Sequence, residues 1–296
     1  MRTQDYTANQ LRRFRQPDGT VVTTSEHLQV QANGSAQPAF SLSFVGVQGE
    51  PTGSALWQDW QQNYDRYARL FFRHGSFSIR DLTQAQNNYT LHDFGPVVRA
   101  GRAAQRLVIF PGTLDKAIWV VDVDSLTSVP LYVAELDSRL IVHAEIETTS
   151  FSDTVQTFAP MHSTNIITPM PDYGTALQHL GLASSVIDPN VTGMPDYVAE
   201  RIEVHDDPIN GQQKLVMVYG DGIDQFFVVQ NINSLDPFDG MPNETAGGNT
   251  IARFRDPAVS ALVFWDDNVT FHVAGRGSLR RLDALARVVF LQALSQ

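Results

Sequence analysis

Cysteine is absent from all 296 residues. That excludes disulfides, thiolate catalysis and every cysteine-based metal site. Basic residues are scarce: 21 Lys and Arg stand against 32 Asp and Glu, a formal net charge of −11. A chain this acidic is a poor counterion for phosphate, so no nucleic-acid partner is expected. The one basic cluster, Arg12, Arg13 and Arg15 with Arg2 nearby, falls on an expected strand and reads as a solvated face. No run approaches the ~18 apolar residues of a membrane span. The polar opening Met1-Arg2-Thr3-Gln4 lacks the apolar core of an export signal, which leaves a cytosolic chain or one without its signal or anchor.

The signatures of common enzymes are missing too. There is no G-x-S-x-G, no Walker A, no H-E-x-x-H and no G-x-G-x-x-G. The eight histidines are scattered and none pair at i,i+4 on a helix, so no helical zinc site is indicated. His143 and His272 read as surface positions on strands. His205-Asp206-Asp207 and Asp266-Asp267 offer oxygens to a hard cation, but such residues equally end loops. Asp122 and Asp124 begin like a calcium loop whose later positions are missing. Asn-x-Ser/Thr at Asn33, Asn88, Asn190, Asn243 and Asn268 is read as chance in polar loops. No catalytic residue, metal or cofactor is expected.

What the chain does have is apolar and aromatic content: 43% hydrophobic, with Phe 17, Tyr 8 and Trp 4, enough for a proper core. Four runs in succession read as strands: Arg102–Phe110, Ala117–Val123, Leu131–Leu136 and Arg139–Thr148. The breaks between them carry Pro, Gly, Asp or Ser and are too short for a crossover helix, so neighbours pair antiparallel. Asn87–Asp93 reads as a further strand. Upstream, Tyr6–Arg15 and Thr20–Gln31 flank the hairpin signal Gln16-Pro17-Asp18-Gly19, and Ala39–Gln48 makes a third strand. Ser54 can cap a helix in which Trp57, Trp60, Tyr64, Tyr67 and Phe71 share one face. Plain core is the ordinary reading of such a stripe; the sharper one is a helix lining an apolar groove.

Pro160, Pro169 and Pro171 mark a break, so residues 1–158 are expected as one domain, 159–172 as linker and 173–296 as a second, smaller α+β domain. In the second part Tyr197–His205 reads as a strand. Lys214–Tyr219 and Ile223–Gln230 flank Gly220-Asp221-Gly222, which is first a turn. Asn231–Thr250 reads as a loop, Ala261–Trp265 and Val269–Ala274 as strands, and Leu279–Leu294 as a capping helix.

This order resembles the LolA/RseB-type envelope proteins of bacteria. The resemblance rests on Ala100-Gly101-Arg102-Ala103-Ala104-Gln105-Arg106-Leu107-Val108-Ile109-Phe110-Pro111, then on Ala117-Ile118-Trp119-Val120-Val121-Asp122 and Thr127-Ser128-Val129-Pro130-Leu131. Val129 departs from the small residue often found there. Tyr219-Gly220-Asp221-Gly222-Ile223 with Phe226-Phe227-Val228-Val229-Gln230 is similar to a strand pair in the second domain of RseB-type regulators. Val269–Gly275 followed by a helix is similar to the terminal strand and helix of that domain. The resemblance implies an α+β fold: a curved antiparallel half-barrel covered by helix, plus a smaller C-terminal α+β domain. It implies a non-enzymatic, extracytoplasmic binding or regulatory protein whose export signal or anchor is not in this sequence. The partners implied are a lipid or lipoprotein acyl chain, or a signalling protein such as a membrane-anchored anti-sigma factor. Trp57, Trp60, Tyr64, Tyr67, Phe71, Phe110 and Trp119 are the expected apolar-groove residues. The rival reading is a hydrolase on an unfamiliar β scaffold, which a polar cleft with clustered carboxylates would favour.

Overall fold

A computed structural model describes residues 4–16, 18–32, 39–62, 64, 77–113, 116–159, 166–181, 196–206, 211–232, 244–246, 249–255, 260–266 and 269–275. These form two antiparallel eight-stranded sheets and three short helical segments. By backbone contacts the chain divides into two compact units. The first is Met1–Ser78 with Tyr89–His162, the second Ile79–Asn88 with Ser163–Gln296.

The first unit opens with β1 (Tyr6–Arg15), β2 (Val21–Gln31) and β3 (Ala39–Val47). Asp18 Oδ1 accepts from the Thr20 amide, and Gly19 sits at φ 88°, where glycine carries no Cβ penalty. The meander follows as β4 (Tyr89–Arg99), β5 (Arg102–Pro111), β6 (Ile118–Asp124), β7 (Pro130–Leu136) and β8 (Val142–Ser152). The sheet order is β3-β2-β1-β8-β7-β6-β5-β4, so β1 and β8 join the two runs. Its turns are built by aspartate. Asp124 Oδ1 accepts from the Leu126 and Thr127 amides, and Asp137 Oδ1 from those of Arg139 and Ile141. That last turn holds Leu140 at φ 62° and delays β8 to Val142, three residues past the expected start.

α1 is helical over residues 55–62 and again at 64, with Ser54 Oγ accepting from the Trp57 amide as the expected N-cap. The α2 helix (Leu82–Asn88) occupies residues 87 and 88, which had been expected in a strand. It belongs by contacts to the second unit. The Arg80 and Asp81 amides donate to Gly222 O, Gln84 Nε2 to Gly220 O and Asn88 Nδ2 to Asp221 O. Side chains at Gln84 and Asn88 thus cap carbonyls more than 130 residues away, a pairing that local sequence cannot announce.

In the second unit β9 (Ile166–Met170) pairs with β10 (Val198–Asp206) inside the segment expected to be linker. Pro169 misled the reading; β9 ends the sheet, and an edge strand tolerates proline because one side needs no donor. Next comes α3 (Tyr173–His179), capped by Asp172, then β11 (Gln213–Gly220) and β12 (Gln225–Ile232), joined by the expected Gly220-Asp221-Gly222 turn. The expected loop over Asn231–Thr250 contains the short β13 (Glu244–Ala246) and the start of β14 (Asn249–Arg255). β15 (Ser260–Asp266) and β16 (Val269–Gly275) complete the order β13-β14-β15-β16-β12-β11-β10-β9. Tyr219 stacks on Phe226 at 4.8 Å and Tyr197 meets it edge-on at 5.0 Å, anchoring a core that α3 joins through Tyr173, Ala176 and Leu177. Val216, Val218 and Phe227 are buried on the other face. The helix expected at Leu279–Leu294 lies outside the described residues.

Candidate functional site

Alternation assigns the first sheet two chemically different faces. Tyr6, Ala8, Gln10, Arg12 and Phe14 share one face of β1 and are all buried. Thr24, Glu26, Leu28 and Val30 continue it on β2, and Phe40, Leu42 and Phe44 on β3. α1 covers this face: Phe14 meets Trp60 at 5.3 Å, and Phe44 meets Trp57 at 5.4 Å and Tyr64 at 5.2 Å. Each such aromatic contributes roughly 1.5–3 kcal/mol when fully buried.

Within this apolar layer sits a polar cluster. Arg12 Nε and Nη2 donate to Glu26 Oε2 and Oε1 at 3.1 and 2.9 Å, a bidentate pair. Tyr64 Oη donates to Glu26 Oε2 at 2.8 Å and lies 2.8 Å from Thr24 Oγ1. Burial works against the Arg12 charge, yet Glu26 outweighs it and the guanidinium pKa lies above its ordinary value. Burial first, then the Glu26 charge, pushes the Tyr64 phenol up. The cluster corrects the expectation of a solvated basic face. Arg12 is 3% exposed because it shares the strand phase of Phe14 and Ala8. Arg13, one residue on, faces the other way and bridges Glu145 and Glu147 at 2.5 and 2.9 Å.

That opposite face carries a charge ladder. Asp122 lies between Arg99 (2.6 Å) and Arg106 (2.7 Å), Arg99 also reaches Glu147, and its guanidinium sits over the Tyr132 ring. Asp122 is buried, but the two arginines more than offset desolvation and hold its pKa below the usual carboxylate value. Asp124 is held down to about 2, chiefly by its hydrogen bond from Arg102. Arginines therefore occupy the place a cation would take beside Asp122 and Asp124. No group of three or more metal-ligating side chains converges among the described residues, and Asp207 and Asp267 lie outside them.

The two histidines read as surface residues are not solvent-facing in that sense. His143 Nε2 lies 3.5 Å from Asp137 with its side chain mostly covered. His272 bonds Asn231 at 2.8 Å, and desolvation, aided by Lys214, lowers its pKa to about 4.

Of the expected groove residues, Trp57, Trp60, Tyr64 and Trp119 come to the covered face. Trp119 reaches it through the register Trp119↔Glu135, Glu135↔Ala144 and Ala144↔Phe14, is fully buried, and meets Phe77 at 5.7 Å. Phe110 does not join them. Its neighbour Ile109 pairs with Trp119, so Phe110 points to the opposite face and meets His92 edge-on at 5.4 Å. Tyr67 and Phe71 lie outside the described residues. A cleft on the covered face has a volume of about 30 Å³, and Arg12, Glu26 and Gln10 line it together with Leu28, Leu42, Phe77, Val133 and Ile146. Sequence reasoning missed these residues, although Arg12 and Glu26 stand in the apolar phase of their strands.

No protein-family model matches the chain, and no curated protein sequence does. Solved structures do. MucB in complex with MucA(peri) superposes with a TM-score of 0.51 at 14% identity, covering 96% of this chain and 92% of that one. The Pseudomonas aeruginosa MucA/MucB complex gives 0.50 at 15% identity, and MucB alone 0.51 at 15%, each covering 97% and 92%. The chain shares the fold of MucB, an RseB-like envelope protein, which bears out at the level of fold the resemblance drawn from the sequence.

Proposed function

We propose that this chain is an extracytoplasmic regulatory binding protein of the RseB type, which holds a membrane-anchored anti-sigma-like partner and does no chemistry of its own. The observation that carries the reading is likeness of fold over 96% of the chain to a protein solved with MucA(peri) bound. The aspartates and arginines near one another satisfy each other as ion pairs, which supports structure rather than acid–base work. Capture by the tagged chain from detergent-solubilised membranes of its own host, then calorimetric titration with the soluble segment of each single-span protein recovered, tests it. One-to-one binding by such a segment is expected. Capture of none that titrates overturns the reading.

An apolar ligand is the second reading, favoured by the aromatic side chains of Trp57, Trp60 and Tyr64 on one face of the first sheet. A volume of about 30 Å³ admits roughly one methylene. An acyl chain therefore requires this cleft to widen. Tryptophan fluorescence during titration with dodecanoate and a diacyl lipopeptide tests this; an unchanged spectrum with both rejects it.

A further inference from the structure

Every strand of a sheet needs hydrogen-bond partners on both sides, and terminal strands lack one. Folded proteins blunt such edges by keeping them short, charged or covered. Two of the four edges here are short: β13 has three residues and β9 five. A third, β3, buries alternate side chains under α1. β4 follows none of these devices. It runs 11 residues, roughly 36 Å at ~3.3 Å per residue, and among the described residues pairs only with β5. From Thr90 to Phe94 every residue is exposed, and Leu91, Phe94 and Val98 are 59%, 62% and 73% exposed.

Its charges do not guard the edge either. Asp93 is spent on the Gly95 amide and on Gln105, and Arg99 turns back to Asp122 and Glu147. There is no lysine. The only interruption is a bulge between Asp93 and Gly95, with Pro96 after it, which leaves Tyr89–Asp93 as a regular stretch.

We infer that the outer edge of β4 is a docking site for an extended segment of another protein, which adds as a ninth strand against Thr90–Asp93. The occupant's chemistry follows from the site. Alternating backbone donors and acceptors are matched only by another strand, and Leu91 and Phe94 call for apolar side chains beside it. The net charge of −11 selects a segment with basic flanks. The same charge makes a second copy of this chain a poor occupant, since both would carry it. The inference goes beyond the regulatory reading and stands without it.

The test uses the full chain and a soluble 12-residue probe peptide of alternating valine and threonine with two lysines at each end. Hydrogen exchange across Tyr89–Phe94 is expected to slow at least tenfold on saturation. A peptide N-methylated at every second residue keeps its side chains and loses binding at least tenfold. A glutamate-ended peptide binds at least fivefold more weakly, and Leu91→Lys, at an exposed position, weakens the parent peptide. Binding without protection of β4, equal binding of the N-methylated peptide, or no binding at millimolar peptide overturns the inference. So does a concentration-dependent dimer abolished by Leu91→Lys, which would assign the edge to a second copy.

Discussion

Removing one member of the Arg12–Glu26 pair should damage the first unit far more than removing both. In Glu26→Leu the Arg12 guanidinium, 3% exposed, loses both hydrogen bonds to the carboxylate. Breaking a buried pair by deleting one partner costs about 3–5 kcal/mol, because the remaining charge stays desolvated. Arg12→Met costs similarly, with Glu26 left to the hydrogen bond from Tyr64 Oη among the described residues. The double variant Arg12→Met/Glu26→Leu removes both desolvation penalties in an apolar layer and should lie within about 1–2 kcal/mol of the parent. Tyr64→Phe deletes one hydrogen bond to a charged acceptor and should cost about 1.5–3 kcal/mol. The assay is urea unfolding followed by tryptophan emission in a Trp265→Phe background, where Trp57, Trp60 and Trp119 all report on the first unit. Coupling between the two sites should exceed ~3 kcal/mol in the double-mutant cycle. A double variant as damaged as the sum of the singles would refute the argument that desolvation, not attraction, dominates this cluster.

Acid should act through identifiable groups. Asp124, with its pKa held at about 2, lends stability that is complete above the ordinary carboxylate value and lost as pH falls toward 2; thermal melts from pH 5 to 2 should show this slope, reduced in Asp124→Asn. His272 stays neutral in the folded state to about pH 4 while the unfolded chain protonates it near 6.5, so stability should fall as pH drops between those values. Its ring resonances in NMR should titrate near 4, and a midpoint near 6.5 would contradict the packing described. At Gly222 the backbone has φ 97° and an added Cβ would lie 2.3 Å from the Ala85 amide nitrogen. Gly222→Ala should therefore release residues 79–88, seen as new proteolytic cleavage there, with a destabilisation exceeding ~1–3 kcal/mol.

The meander and the first hairpin were legible because both signals were local: a period of two and turn residues whose side chains cap their own turns, as Asp124 and Asp137 do. The burial of Arg12 was legible in principle. With the hairpin centred on residues 16–19, Arg12 lies opposite Thr24 and diagonal to Glu26, both in the apolar phase; two opposite charges so placed call for each other. Phe110 was assigned to the groove by its strand rather than by its parity, which the pairing of Ile109 with Trp119 reverses. β9 was hidden by Pro169, and α2's allegiance by distance along the chain, since Gln84 and Gly220 have no local reason to meet.

The excursion of Ile79–Asn88 into the second unit has a consequence in time. A ribosome adds roughly 5–20 residues per second, and Gln84 precedes its carbonyl partner at Gly220 by 136 residues. The segment thus emerges roughly 7–27 s before anything exists to receive it. Its sequence suits such a wait: from Thr83 to Asn88 it carries Gln, Ala and Asn rather than large apolar side chains. Biosynthesis can leave this stretch in water without penalty, and the second unit closes around it only after the Gly220–Asp224 turn has been made.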